Sequence, residues 1–93
     1  MVGTLTLQLH LPGCASLKEK RGRLKPLLAR LHRQFNISSA EMGLQDKWQE
    51  TIIACAMVGN DRVHVERSLH EIARWLESNW MDMQVMDEKI ELI

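Results

Sequence analysis

Residues 51–58 read TIIACAMV, eight in a row without a charge, between Glu50 and the Gly59-Asn60-Asp61 punctuation. Extended, they place Ile53, Cys55 and Met57 on one side and Ile52, Ala54, Ala56 and Val58 on the other. A strand apolar on both faces belongs in the interior of a sheet. The pattern reaches back to Trp48, giving a central strand over 48–58 (WQETIIACAMV) that needs a neighbour along each edge.

The rest of the chain supplies those neighbours. Leu5, Leu7, Leu9 and Leu11 alternate with Thr4, Thr6, Gln8 and His10, which is a strand with one apolar face. Pro12-Gly13 ends it. Ser16 with Glu19 three residues later fits a capping box, and Leu17, Leu24, Leu27, Leu28, Leu31 and Phe35 then hold helical spacing. The spacing predicts a helix over 17–34. Pro26 lacks an N–H and crowds the carbonyl of Gly22, so a bend convex to solvent is expected there. Residues 36–42 (NISSAEM) read as a strand and 43–47 (GLQDK) as a turn. Asn60 is the expected N-cap of a second helix over 61–78, striped by Val65, Leu69, Ile72, Ala73 and Leu76. Met81, Met83 and Val85, then Ile90 and Leu92, make a last strand whose alternation slips near residues 87–89, as a bulge would make it do.

The order is βαββαβ. Right-handed crossovers and short connections lead to an α+β ferredoxin-like sandwich: a four-stranded antiparallel sheet, in the order fourth, first, third, second, with two helices on one face. With 93 residues and no repeat, low-complexity segment or linker, the expectation is a single domain over 1–93. No apolar run approaches the roughly 20 residues of a membrane span, and the N-terminus lacks the pattern of a signal peptide. Cys14 and Cys55, 41 positions apart, form neither metal nor redox spacing. Reduced thiols in a cytoplasmic protein are expected.

Formal net charge is zero, yet the first helix is not neutral. Residues 17–35 carry Lys18, Lys20, Arg21, Arg23, Lys25, Arg30 and Arg33 against Glu19 alone, a local +6 that the rest of the chain balances. The topology sets SLKEKR (residues 16–21), GLQDKWQ (43–49) and the Asn79-Trp80 connection at one end of the sheet. A helix N-terminus with cations beside it suits an anion. The candidate anion- or RNA-binding set is therefore Lys18, Lys20, Arg21, Arg23, Lys25, Gln45, Asp46, Trp48 and Gln49. The plain alternative is that Ser16 and Glu19 cap the helix, the cations are solvated, and Asp46 clasps Lys18 or Lys20.

PGCASLKEKR, FNISSAE, QDKWQ and the ND before the second helix resemble, in order and over essentially the whole chain, the small bacterial YlxP-like family, a domain of unknown function. The resemblance implies a ferredoxin-like fold, a cytoplasmic setting and a link to ribosome or translation genes, and no established enzyme activity. Two positions depart from the family pattern. Glu50 stands where a basic residue usually follows the WQ pair, and Pro26 is unusual in the first helix.

Other modes are less well supplied. With no tyrosine and one phenylalanine, the chain has no aromatic set for reading RNA on a sheet face. His10, His32, His64 and His70 lack metal-ligand spacing. No nucleophile sits beside a placeable base, and no glycine loop cradles phosphate. No cofactor, metal or catalytic residue is expected. Trp48 reads as a lid on the core and Trp75 as an exposed contact. The uncovered sheet face, with one apolar set of the central strand, implies a homodimer. The expected function is a non-enzymatic protein that meets RNA or the ribosome through the basic helix and the QDKWQ turn. The alternative is a protein-interaction module, homodimeric, that docks an acidic protein on the basic helix or a strand on a sheet edge.

Overall fold

A computed structural model describes residues 1–93. Its elements are β1 (Val2–His10), α1 (Leu17–Phe35), β2 (Ser38–Gly43), β3 (Glu50–Val58), α2 (Arg62–Asn79) and β4 (Gln84–Leu92). The sheet order is β2-β3-β1-β4, with every neighbouring pair antiparallel. This is the ferredoxin-like arrangement expected from the sequence, and β3 and β1 hold the two interior places.

Alternation explains the core. Leu5, Leu7, Leu9 and Leu11 are fully buried, as are Ile53 and Cys55 opposite them. The α1 residues Leu24, Leu27 and Leu31 and the α2 residues Val65, Leu69, Ile72, Ala73 and Leu76 close over the same face. Burying one such leucine stabilises the fold by about 1.5–3 kcal/mol. Gly3 permits the close approach of α2 to β1: a Cβ there would lie 2.5 Å from Val65 Cγ1 and 2.9 Å from Leu69 Cδ1.

Several boundaries differ from the sequence expectation. The Ser16 cap is in place, with Glu19 N–H donating to Ser16 Oγ at 3.0 Å and Ala15 N–H to Glu19 Oε2 at 3.1 Å. α1 is continuous through Pro26, as the expected helix requires, and extends one residue further, to Phe35. Asn36 does not open β2: it ends α1 in the left-handed region (φ 51°), a conformation asparagine tolerates. Asp61, not Asn60, caps α2, accepting from the N–H groups of Val63 and His64. Trp48 and Gln49 precede β3, and β4 starts at Gln84 rather than Met81. The slip in β4 falls at Met86, because Gln8 pairs with Asp87 and Leu9 with Val85. A second, unforeseen slip falls at Met42, between Glu41 opposite Ile53 and Gly43 opposite Ile52.

Candidate functional site

The three expected segments do converge. Leu11 N–H donates to Gln49 O at 2.8 Å, and Gln49 Nε2 donates to Cys14 O at 3.3 Å. Arg23 reaches from α1 to Pro12 O at 3.0 Å and to Asp82 in the α2–β4 connection. One end of the sheet is thus closed by polar contacts among the segments 12–23, 44–49 and 80–83.

Those contacts engage three members of the candidate set, Lys20, Arg23 and Gln49. Lys20 is the main correction. It is not a free surface cation but is 1% exposed, its Nζ 2.8 Å from Glu41 Oε2 and donating to Leu44 O at 2.7 Å. Thr51, fully buried, donates to the same Glu41 oxygen at 2.6 Å. The clasp is therefore Lys20–Glu41–Thr51, and Asp46 makes no ion pair with Lys18 or Lys20. A buried ammonium in contact with a carboxylate and a carbonyl has little left to offer an incoming anion. Arg23 is likewise engaged, by Asp82 and Pro12 O, and Gln49 by the Cys14 carbonyl.

The two members of the clasp that sequence reading missed, Glu41 and Thr51, carry a signal in the pattern. Lys20 lies four residues before Leu24 and seven before Leu27, on the apolar stripe rather than the solvent face. A cation on that stripe calls for a carboxylate on the strand beneath it, and Glu41 shares a face with Ser39 on β2.

The remaining α1 cations are unengaged by carboxylates. Lys18, Arg21, Lys25, Arg30 and Arg33 are exposed and take part in no ion pair. Arg30 lies over the Trp75 ring, 5.6 Å from its centroid. Trp75 meets Phe35 edge to face at 5.6 Å and Trp80 at 6.2 Å, so it is half-buried packing rather than an exposed contact. Lys18, Arg21 and Lys25 stand on the flank of α1 toward β2. The outward stripe between the two flanks carries Gly22, Pro26, Ala29 and, one turn further on, the exposed Arg33, and Gly22 has open space above it.

In the turn, Gln45, Asp46 and Lys47 are exposed and hold no side-chain partner. Trp48, expected over the core, is 53% exposed and meets no other ring. The surface has open grooves, and none is formed by the 44–49 turn. No group of three or more His, Cys, Asp or Glu is placed to hold a metal ion. No helix is long and apolar enough to cross a membrane. Cys14 and Cys55 are free and buried, and burial pushes the Cys55 thiol up to about 12.

The uncovered sheet face is banded. Thr4, Thr6 and Gln8 on β1 pair with Ala56, Ala54 and Ile52 on β3, and Ser38 and Ala40 on β2 continue the small, mostly apolar band. Toward β4 the same rows end on Glu91, Lys89 and Asp87.

Residues 2–90 match the family described as a protein of unknown function, DUF503. The chain is also 37% identical over 78 residues to the uncharacterized protein YlxP of Bacillus subtilis (strain 168), covering 84% of this chain and 85% of that protein. With nearly its whole length matched, from the first strand to the last, this chain belongs to the DUF503 family.

Proposed function

We propose that this protein is a non-catalytic cytoplasmic binding protein that engages RNA, ribosomal RNA included, along the outward face of α1 and the adjoining turn. One observation supports this above the rest: once the internal ion pairs are made, five exposed cations of α1 still lack a carboxylate. From Lys18 to Arg33 they span about 22 Å of helix. Gly22, Pro26 and Ala29 keep the surface low, so a phosphate backbone can lie on the helix with Lys18, Arg21 and Lys25 along one side, Arg33 at the far end of the stripe and Arg30 on the other flank. In the turn Lys47 is offset by the exposed Asp46, so the turn contributes the exposed Trp48 ring, which offers a face for one unpaired base. Lys20 shapes this surface from within, and Arg23 and Gln49 are held by their own contacts at its border.

Gel-shift titration with a short single-stranded RNA and a ribosomal RNA fragment tests the reading. Four neutralised phosphates give a plot of log K against log salt with a slope of about −3, and changing Lys18, Arg21 and Lys25 to Ala flattens it by about 2. Equal binding and equal slopes for wild type and variant would refute it.

A second reading, a homodimer through the uncovered sheet face, is favoured by the Ala40, Ala54, Ala56 and Ile52 band, flat enough for a second sheet to approach. Light scattering checks it. A monomer at high micromolar concentration contradicts it.

A further inference from the structure

The two edges of the sheet are protected very differently. β4 is interrupted at Met86 by its bulge and carries Asp87, Glu88, Lys89 and Glu91, with Arg74 of α2 bridging to Glu88 at 3.4 Å. Charge and bulges are the usual defences of a strand edge. β2, reading SSAEMG, has no lysine and no proline, and its only irregularity lies at its far end, at Met42.

The hydrogen-bond parity identifies which groups of β2 stand open. Leu11 N–H bonds Gln49 O, and Gly59 N–H bonds Met1 O, so the odd residues of β1 and β3 bond each other. The even residues of β3 therefore bond β2, which directs Ser38 and Ala40 inward to Ala56 and Ala54. Ser39 and Glu41 consequently aim their backbone N–H and C=O groups away from the sheet, and no backbone group of the chain meets them. Above this edge runs a groove lined by Arg21, Leu24, Lys25, Leu28 and Glu41. Its one carboxylate is already held by Lys20 and Thr51, so the net character of the groove is positive.

We propose that the β2 edge, roofed by Arg21 and Lys25, is a docking site for an extended acidic segment of another protein, which adds as a fifth strand. Backbone bonds to Ser39 and Glu41 fix its register, and every second side chain of the guest, on the helix side, meets Lys25 and Arg21 in the groove, with Lys18 beyond Arg21. A second copy of this chain does not suit the edge. Antiparallel pairing of β2 with itself about a two-fold axis sets the two α1 helices side by side on one face and brings Arg21 and Lys25 of both copies together. A guest strand with carboxylates at those positions turns that repulsion into attraction. The proposal is separable from RNA binding, because Ser39→Pro removes an edge donor, together with the Ser39 Oγ bond to Leu28 O at 3.3 Å, and changes no cation of α1.

The probe is a capped, strand-length peptide alternating Glu and Val, with a Lys-Val peptide as control. Fluorescence anisotropy measures binding, and amide hydrogen exchange of the wild-type protein locates it. Saturable binding of the acidic peptide is expected, with Ser39 and Glu41 amides protected by it. Arg21→Glu with Lys25→Glu lowers affinity by roughly tenfold or more, and Ser39→Pro lowers it comparably while RNA binding is unchanged. Any of four results overturns the proposal: no binding at millimolar peptide, equal binding of the Lys-Val control, binding that leaves the Ser39 and Glu41 amides unprotected, or concentration-dependent protection of those amides without peptide.

Discussion

Replacing Lys20 with Met separates a structural cation from a functional one. Methionine keeps an unbranched apolar stem in the slot under α1 and removes the ammonium. Glu41 Oε2 then loses a partner at 2.8 Å and Leu44 O a donor at 2.7 Å. Breaking a fully buried ion pair costs about 3–5 kcal/mol, because the surviving charge cannot rehydrate. Glu41 is not fully sealed: its side chain is 21% exposed, and Thr51 still donates to it at 2.6 Å. Those two facts lower the expected loss to about 2–3 kcal/mol, or a fall in Tm of about 10–20 °C for a domain of this size. Changing Glu41 to Gln in the same chain removes the stranded charge and keeps an acceptor for Thr51, so the double variant regains about 1–2 kcal/mol relative to additivity. Urea titration followed by tryptophan fluorescence and circular dichroism, at constant m, measures Lys20→Met, Glu41→Gln alone and the double variant. A Lys20→Met loss below about 0.5 kcal/mol with no coupling to Glu41 would refute the reasoning, since that is how an exposed, solvated pair behaves. RNA affinity of the folded Lys20→Met protein is expected to match wild type, which distinguishes this lysine from Lys18, Arg21 and Lys25.

Gly3→Ala places a methyl 2.5 Å from Val65 Cγ1, and the expected overpacking loss is about 1–3 kcal/mol by the same titration. Cys55 gives a pH signature. Its thiol rises from the ordinary 9.0 to about 12 through desolvation, so the native state holds the proton more tightly than the unfolded chain. That contribution is complete below pH 9 and is lost progressively as pH climbs toward 12; Cys55→Ala should flatten this alkaline limb of the stability curve. At about pH 8 Cys55 should resist iodoacetamide in the folded protein and react on addition of urea, as read by mass spectrometry.

How much of this was legible in the letters follows from which interactions are periodic. The sheet order came from TIIACAMV and the leucine alternation, because a strand apolar on both faces has few places to go and the crossover rule removes most of those. Local signals were read correctly where one side chain decides them, as at the Ser16 cap. They misled where two neighbours compete for one position. Asn60 and Asp61 both cap well, and the carboxylate prevailed through its two N–H partners. Asn36 read as strand because nothing local distinguishes a left-handed stop from an extended start. The site was less legible for a deeper reason. A charge count treats all cations as equal, yet the fold divides them by angle around α1. Lys20 shares the stripe of Leu24 and Leu27 and is buried. Arg23 falls on the flank where Asp82 reaches it. Lys18, Arg21 and Lys25 fall on the flank where β2, the edge strand, offers only Glu41, already held. What remains charged toward solvent is therefore decided by which strand lies at the sheet edge, and the +6 of the sequence becomes a directed surface only once β2 is placed there.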